Sequence, residues 1–212
     1  MELGPCLYQT SIGTPRDVST LLAMRSQGFG DNYQYYHDHL GTNGHAGFDW
    51  PCAKGTPIYS ACDGVVSYVG TDFTEGGGSG AGVLVDAGEG EFLHWHFSRN
   101  DVVVGQQVKR GQQIGLSGNT GFSEGPHFHG EWRPHPLKYY NGFYGAVDYT
   151  NLLVWSYPLS NDIMTKKDVE QLQALEGYKD PAGVLYWTGK SLSDYLKARL
   201  PDKVKEIQDA LK

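Results

Sequence analysis

Several of the eight histidines stand in pairs with even spacing. His127 and His129 flank Phe128. On a strand, residues two apart face the same side, so both rings would point one way. His94 and His96 flank Trp95 in the same manner. His45 and Asp49 are four apart, which places them on one face of either a strand or a helix. Gly47 between them and Trp50-Pro51 after them argue for strand or loop. Imidazole nitrogen and carboxylate oxygen suit zinc, and catalytic zinc takes three protein ligands and leaves a fourth position for water. Three such pairs can supply a metal site by spacing alone. A single His-x-His is common by chance, so the weight comes from its setting. Gly118-Asn119-Thr120-Gly121-Phe122-Ser123-Glu124-Gly125-Pro126 runs directly into His127, a tight loop delivering a two-histidine strand to one place. His37, His39 and His135 read as surface or packing residues.

The elements that must position these side chains are short. From Gln27 to about Leu153, alternating apolar runs are broken by Gly, Asn and Pro. Pro57–Ala61, Gly64–Val69, Gly82–Asp86, Glu91–His96, Val102–Val104, Gln113–Leu116 and His127–His129 read as strands. The third and fourth lie around a Gly88-Glu89-Gly90 turn. This spacing predicts an antiparallel, mainly β domain with loops at its rim. Residues 1–26 read as a lead-in with a short helix around Val18 to Met24, and 27–154 as the main domain. A linker follows over 155–161. Beyond it, Thr165 as a cap, then Val169, Leu172 and Leu175, and later Val204, Ile207 and Leu211, predict a small helical module over 162–212. The Gly76–Gly80 run reads as a mobile loop.

Composition removes some function classes. The net charge of −7 and the lack of a Lys/Arg cluster before the C-terminal third exclude a nucleic-acid binder. No window reaches the roughly 18 apolar residues that span a bilayer, so no membrane partner is expected. Met1 to Ser26 lack a basic start followed by an apolar stretch, so no signal peptide is expected; one trimmed away would make the protein secreted. Cys6, Cys52 and Cys62 lack Cys-x-x-Cys spacing, which excludes a zinc knuckle, and they read as buried free thiols. A Cys52–Cys62 disulfide is the alternative.

With these motifs assembled, the sequence resembles the lysostaphin/LytM-type family of zinc endopeptidases, which hydrolyse peptidoglycan peptides. The first family motif, His-x-x-x-Asp, matches His45 to Asp49. The following segment matches Gly55–Ala61 and Asp63–Val66. The middle motif, usually Tyr-x-His-Leu-Ser, stands here as His94-Trp95-His96-Phe97-Ser98. Val104 to Gln112 is similar to the stretch beyond it, Thr120 to His129 matches the final motif, and Val147 to Leu153 the closing segment. The likeness covers about residues 27–153 and implies the lysostaphin-type peptidase fold. It implies that His45, Asp49 and His129 hold zinc and that His96 and His127 are the catalytic histidines outside the ligand set. Two departures stand out: His94 replaces the usual Tyr, and Gly130 follows the last ligand where a larger residue is common.

On this reading the chain hydrolyses peptide cross-links or stems of bacterial peptidoglycan. Zinc brings the pKa of its water towards about 7. No His-Glu-x-x-His motif is present, so His96 or His127 manages the water proton, and their separate roles stay open. His94, Tyr36 and Trp132 are expected to contact substrate, with Tyr33–Tyr36 and Gly76–Gly80 as groove walls. The expected place of action is the cell wall, reached from a phage virion or after lysis. The alternative is a non-catalytic wall-binding or virion tail component of the same fold.

Overall fold

The computed structural model describes residues 1–78 and 80–155. The expected helical module over 162–212 and the linker before it, apart from Trp155, lie outside the described residues. Two helices come first, α1 at Val18–Ala23 and α2 at Tyr33–Leu40. Nine strands follow. They are β1 (Phe48–Pro51), β2 (Pro57–Tyr59), β3 (Gly64–Thr71), β4 (Ala81–Asp86), β5 (Gly90–Trp95), β6 (Phe97–Asn100), β7 (Gln107–Val108), β8 (Gln113–Ser117) and β9 (His127–Pro134). They form a six-stranded sheet in the order β1-β9-β5-β4-β3-β7 and a three-stranded sheet in the order β2-β8-β6. Every pairing is antiparallel, so the fold is mainly β, as the residue pattern predicts.

Alternation along the strands divides the large sheet into two faces. Val83 and Val85 of β4, Phe92 of β5, and Phe128 and Trp132 of β9 point into the core with Ile58, Phe97 and Ile114 of the small sheet. The opposite face of the same strands carries Leu84, Leu93, Trp95, His127, His129, Glu131 and Arg133, which line an open groove. The first 26 residues contribute Leu3, Leu7 and Leu21 to the same core. Leu3 bridges Leu153, which ties the two ends of the described domain together. Asp17 caps α1 by accepting from the Thr20 amide at 2.8 Å.

Two expectations need correction. Val102–Val104 is a turn: only Val102 is buried, while Val103 and Val104 are 68% and 61% exposed. Gly105 at φ +85° reverses the chain there, and the Gln106 amide bonds back to the Val103 carbonyl. The predicted all-strand texture also misses α2, whose eight residues carry no buried side chain. A helix that packs so little on the core leaves no apolar stripe in the sequence to announce it. The three cysteines are buried free thiols. Among the described residues no helix is long and apolar enough to cross a membrane.

Candidate metal centre

Strand pairing brings the first and last motifs together. Asp49 on β1 and His129 on β9 are direct cross-strand partners. His45 lies just before β1 and is buried. Gly47 allows the approach, because a Cβ there would stand 2.3 Å from the Gly130 carbonyl oxygen and 3.0 Å from the His129 ring. The result is a triangle of donors. Asp49 Oδ1 lies 2.7 Å from His129 Nδ1 and 3.2 Å from His45 Nε2, and the two nitrogens are 3.0 Å apart. Among the described residues these three form the one grouping of His, Cys, Asp and Glu donors close enough to share an ion.

The outward hydrogen bonds fix what the inward atoms present. His45 Nδ1 donates to the Gly28 carbonyl at 3.2 Å, and His129 Nε2 donates to Glu131 Oε1 at 2.9 Å. A neutral imidazole that donates at one nitrogen offers a lone pair at the other. Two lone pairs and a carboxylate oxygen therefore face one point, an arrangement that needs a cation. Tetrahedral zinc with bonds of about 2.0–2.2 Å separates its donors by about 3.3–3.6 Å, a few tenths of an ångström wider than this triangle, so the residues fit such an ion in type and number and need open only slightly to hold it.

Local electrostatics agree. Burial alone would raise the Asp49 carboxyl, but the charge and hydrogen bond of His129, then those of His45, hold it well below the usual carboxylate range. Burial works against a charged His129, and the Asp49 and Glu131 carboxylates outweigh it and raise that imidazole. In the absence of metal the site therefore favours a proton where the cation would sit.

Two more imidazoles look into the same space. His96 Nδ1 donates to the Thr120 carbonyl at 2.6 Å, and His127 Nδ1 to the Gly125 carbonyl at 2.8 Å. Their rings lie 4.5 Å apart by centroid, and the His96 ring is 5.6 Å from that of His129. His127 Nε2 stands 3.5 Å from Asp49 Oδ1. Burial, then the neighbouring His127 and His129, pushes His96 down to about 3, and burial also lowers His127. Both rings are neutral bases at neutral pH, with Nε2 turned inward.

The five side chains sit on the floor of a groove of about 970 Å³. Tyr36 of α2 lines it, its ring 5.2 Å from that of His45 and its hydroxyl donating to Gln27 Oε1 at 2.8 Å. At the rim, Tyr35 stacks on Phe122, with centroids 5.8 Å apart.

Comparison with known proteins locates this arrangement in a family. Residues 43–141, which contain all five side chains, match the description Peptidase family M23. The chain carries a peptidase family M23 domain. Among relatives, glycyl-glycine endopeptidase ALE-1 of Staphylococcus capitis is 40% identical over 100 residues, 46% of this chain and 27% of that protein. The peptidoglycan DD-endopeptidase ShyA of Vibrio cholerae is 41% identical over 88 residues, 41% of this chain and 20% of that protein. The chain thus matches about a quarter or less of these relatives' length. The catalytic domain of lysostaphin from Staphylococcus simulans is similar at 29% identity and a TM-score of 0.48, covering 65% of this chain and 97% of that one.

Within the M23 domain, the structure gathers His45, Asp49, His96, His127, His129 and Tyr36 around one space. It does not bring His94 or Trp132 there. His94 is fully buried: its Nδ1 donates to the Val83 carbonyl at 3.1 Å and its Nε2 accepts from the Ala61 amide at 3.1 Å. It occupies the core face of β5 and cannot touch substrate. Trp132 is 3% exposed and belongs to the core face of β9. Gly130, the other departure, has a steric cause, since a Cβ there would come within 2.9 Å of the Tyr149 hydroxyl. Sequence reasoning missed Glu131 and Arg133. Period two along β9 from His127 and His129 would have placed both on the groove face. The Gly28, Thr120 and Gly125 carbonyls carry no side-chain signal at all.

Proposed function

We propose that this chain is a zinc-dependent endopeptidase that hydrolyses peptides of bacterial peptidoglycan, with His45, Asp49 and His129 as the zinc ligands. One observation carries this reading: three lone-pair donors and two neutral histidines converge on one point in an open groove. Bound zinc supplies Lewis acidity, polarising the scissile carbonyl and acidifying water near neutral pH. The chain's own groups do the rest. Nε2 of one of His96 and His127 takes the proton of the attacking water, as a base held neutral by burial can do at pH 7. The proton gained at that Nε2 then passes to the leaving amine, and the other ring, a bare acceptor at Nε2 in this tautomer, holds the second hydrogen of the water in place. The Thr120 and Gly125 carbonyls hold both rings in the tautomer this needs. Tyr36 and the loop over 119–126 wall the groove and orient the peptide.

The substrate class draws support from the relatives named as glycyl-glycine and peptidoglycan DD-endopeptidases. Metal analysis of the purified chain should give one zinc per protein. Mass spectrometry of walls from several bacteria should show new peptide ends that are absent with His127→Ala. Stoichiometric zinc with no product from any wall would reject the hydrolase reading.

A further inference from the structure

The groove extends sideways from the metal centre across β5, β4 and β3, and that arm is built differently from the rest. Trp95 is the cross-strand partner of His129, so the indole starts directly beside a proposed ligand. It does not stand up from the sheet. A Cβ on Gly82 would come 2.5 Å from Trp95 Cε3, one on Gly80 2.7 Å from Nε1, and one on Gly70 3.2 Å from Cη2. Gly82 pairs with Trp95, and Gly70 with Gly82. The indole therefore lies flat over three glycines, reaching from β5 to β3. Tyr68, about half exposed, continues the surface with its ring within 14° of parallel and its centroid 6.1 Å away.

Two strand spacings of about 4.8 Å give this platform a reach of roughly 10 Å, the length of about three residues of extended peptide. Leu84 and Leu93 border it. The charged residues lining the groove are Asp49, Glu124, Glu131 and Arg133, and none lies on β3, β4 or β5. A carboxylate laid on this arm would lose water without gaining a partner, and the negative ring faces would repel it. A backbone bearing small side chains can lie flat on the rings with its N–H and C=O groups still turned sideways to water.

We infer that Trp95 and Tyr68 form a substrate subsite beside the metal centre, selecting a peptide segment of small residues free of carboxylates within about three residues of the scissile bond. The inference rests on the hydrolase reading for the scissile bond but not for the binding. Full chain labelled with fluorotryptophan and freed of metal is titrated with pentaglycine, Gly-Gly-Glu-Gly-Gly and chitotriose. The Trp95 fluorine signal among the five tryptophans is assigned from its loss in Trp95→Phe. Pentaglycine should move that signal, the glutamate peptide should need at least about tenfold more, and the sugar should leave it still.

In wall hydrolysis, Trp95→Ala should raise KM about fivefold to tenfold with kcat within about twofold, the mark of lost ground-state binding. Trp95→Phe and Gly70→Ala, the latter pressing on Cη2, should fall between that variant and wild type. A signal moved by chitotriose and not by pentaglycine would assign the platform to sugar and overturn the proposal. So would an unchanged kcat/KM in Trp95→Ala. If pentaglycine moves the signal while no wall is cut, the subsite stands and the hydrolase reading fails. If walls are cut while the signal stays still, the subsite alone falls.

Discussion

The chain contains two His-aromatic-His triplets, 94–96 and 127–129, and the structure uses them differently. The second lies wholly within β9, which stays regular, so His127 and His129 share the groove face and Phe128 takes the core. In the first, β5 ends at Trp95, and His96 adopts a positive φ of 66° before the chain enters β6 of the other sheet. Left-handed backbone is costly for a residue with a Cβ. The His96–Thr120 hydrogen bond and burial among the other histidines hold it there. His94 therefore faces the core while His96 reaches the site. Even spacing defines a shared face only where the strand is unbroken. One residue in an unusual conformation turns a pair into two unrelated side chains.

The sharpest way to break this comparison is to remove a side chain from each triplet and compare what is lost. His129→Ala should have the largest effect: zinc content near zero and hydrolysis reduced by about 10⁴-fold or more, because the donor triangle is opened. His127→Ala and His96→Ala should come next, with zinc retained and kcat down about 10²–10³-fold. Metal analysis beside muropeptide release separates the two classes. A zinc-free His127→Ala would show that this ring belongs to the ligand set, and the division of labour along β9 would be wrong.

His94 should behave unlike all three. His94→Phe keeps the ring but loses the acceptor for the Ala61 amide, so the folded state should lose about 1–3 kcal/mol by denaturant titration, while zinc and kcat stay near wild type. A pH series sharpens the contrast. Burial pushes His94 down to about 3 from an ordinary value of 6.5. Between those values the unfolded chain binds a proton that the folded chain refuses, so stability falls as pH drops from about 6.5 towards 3. His94 accounts for about 1–1.5 kcal/mol per pH unit of that slope. The Phe variant should show a shallower slope over pH 6 to 4, and an identical slope would show that His94 does not stay neutral in the fold.

The sequence made some of this legible and hid the rest for physical reasons. The antiparallel strands around His127, His129 and Gly88 follow from period two and turn chemistry, both of them local properties. The convergence of His45 with His129 follows from pairing of β1 with β9, a contact 80 residues apart that spacing cannot supply. The motif resemblance did supply it, because it carries the fold's geometry in compressed form. The parting of His96 from His94 depended on one backbone angle at His96 that no side-chain pattern encodes. Trp132 is expected at the substrate, although its odd spacing from His129 on β9 already assigns it to the core face. Helix α2 escaped notice because nothing in it is buried.

The smallest predicted effect tests how far the regular triplet's advantage extends along its strand. Glu131 lies two residues past His129 on the same face, accepts the Nε2 proton of that ring, and is itself held by Arg133 at 2.7 Å. Burial would raise its carboxyl, but the hydrogen bond and charge of His129, then Arg133, lower it, so it sits behind the proposed ligand as an anion. Such partners fix a ligand's tautomer and raise its basicity, and losing one typically costs about 10–100-fold in metal affinity. Glu131→Gln keeps an oxygen that can accept from Nε2 and removes only the charge. Zinc affinity measured by competition with a chelator should therefore fall by about tenfold or less in Gln, and by more in Glu131→Ala. Equal losses in both variants would mean that the charge, and not the tautomer it enforces, is what Glu131 contributes. No loss in either would confine the metal centre to its three donors and leave the long strand beyond His129 as scaffold for the groove alone.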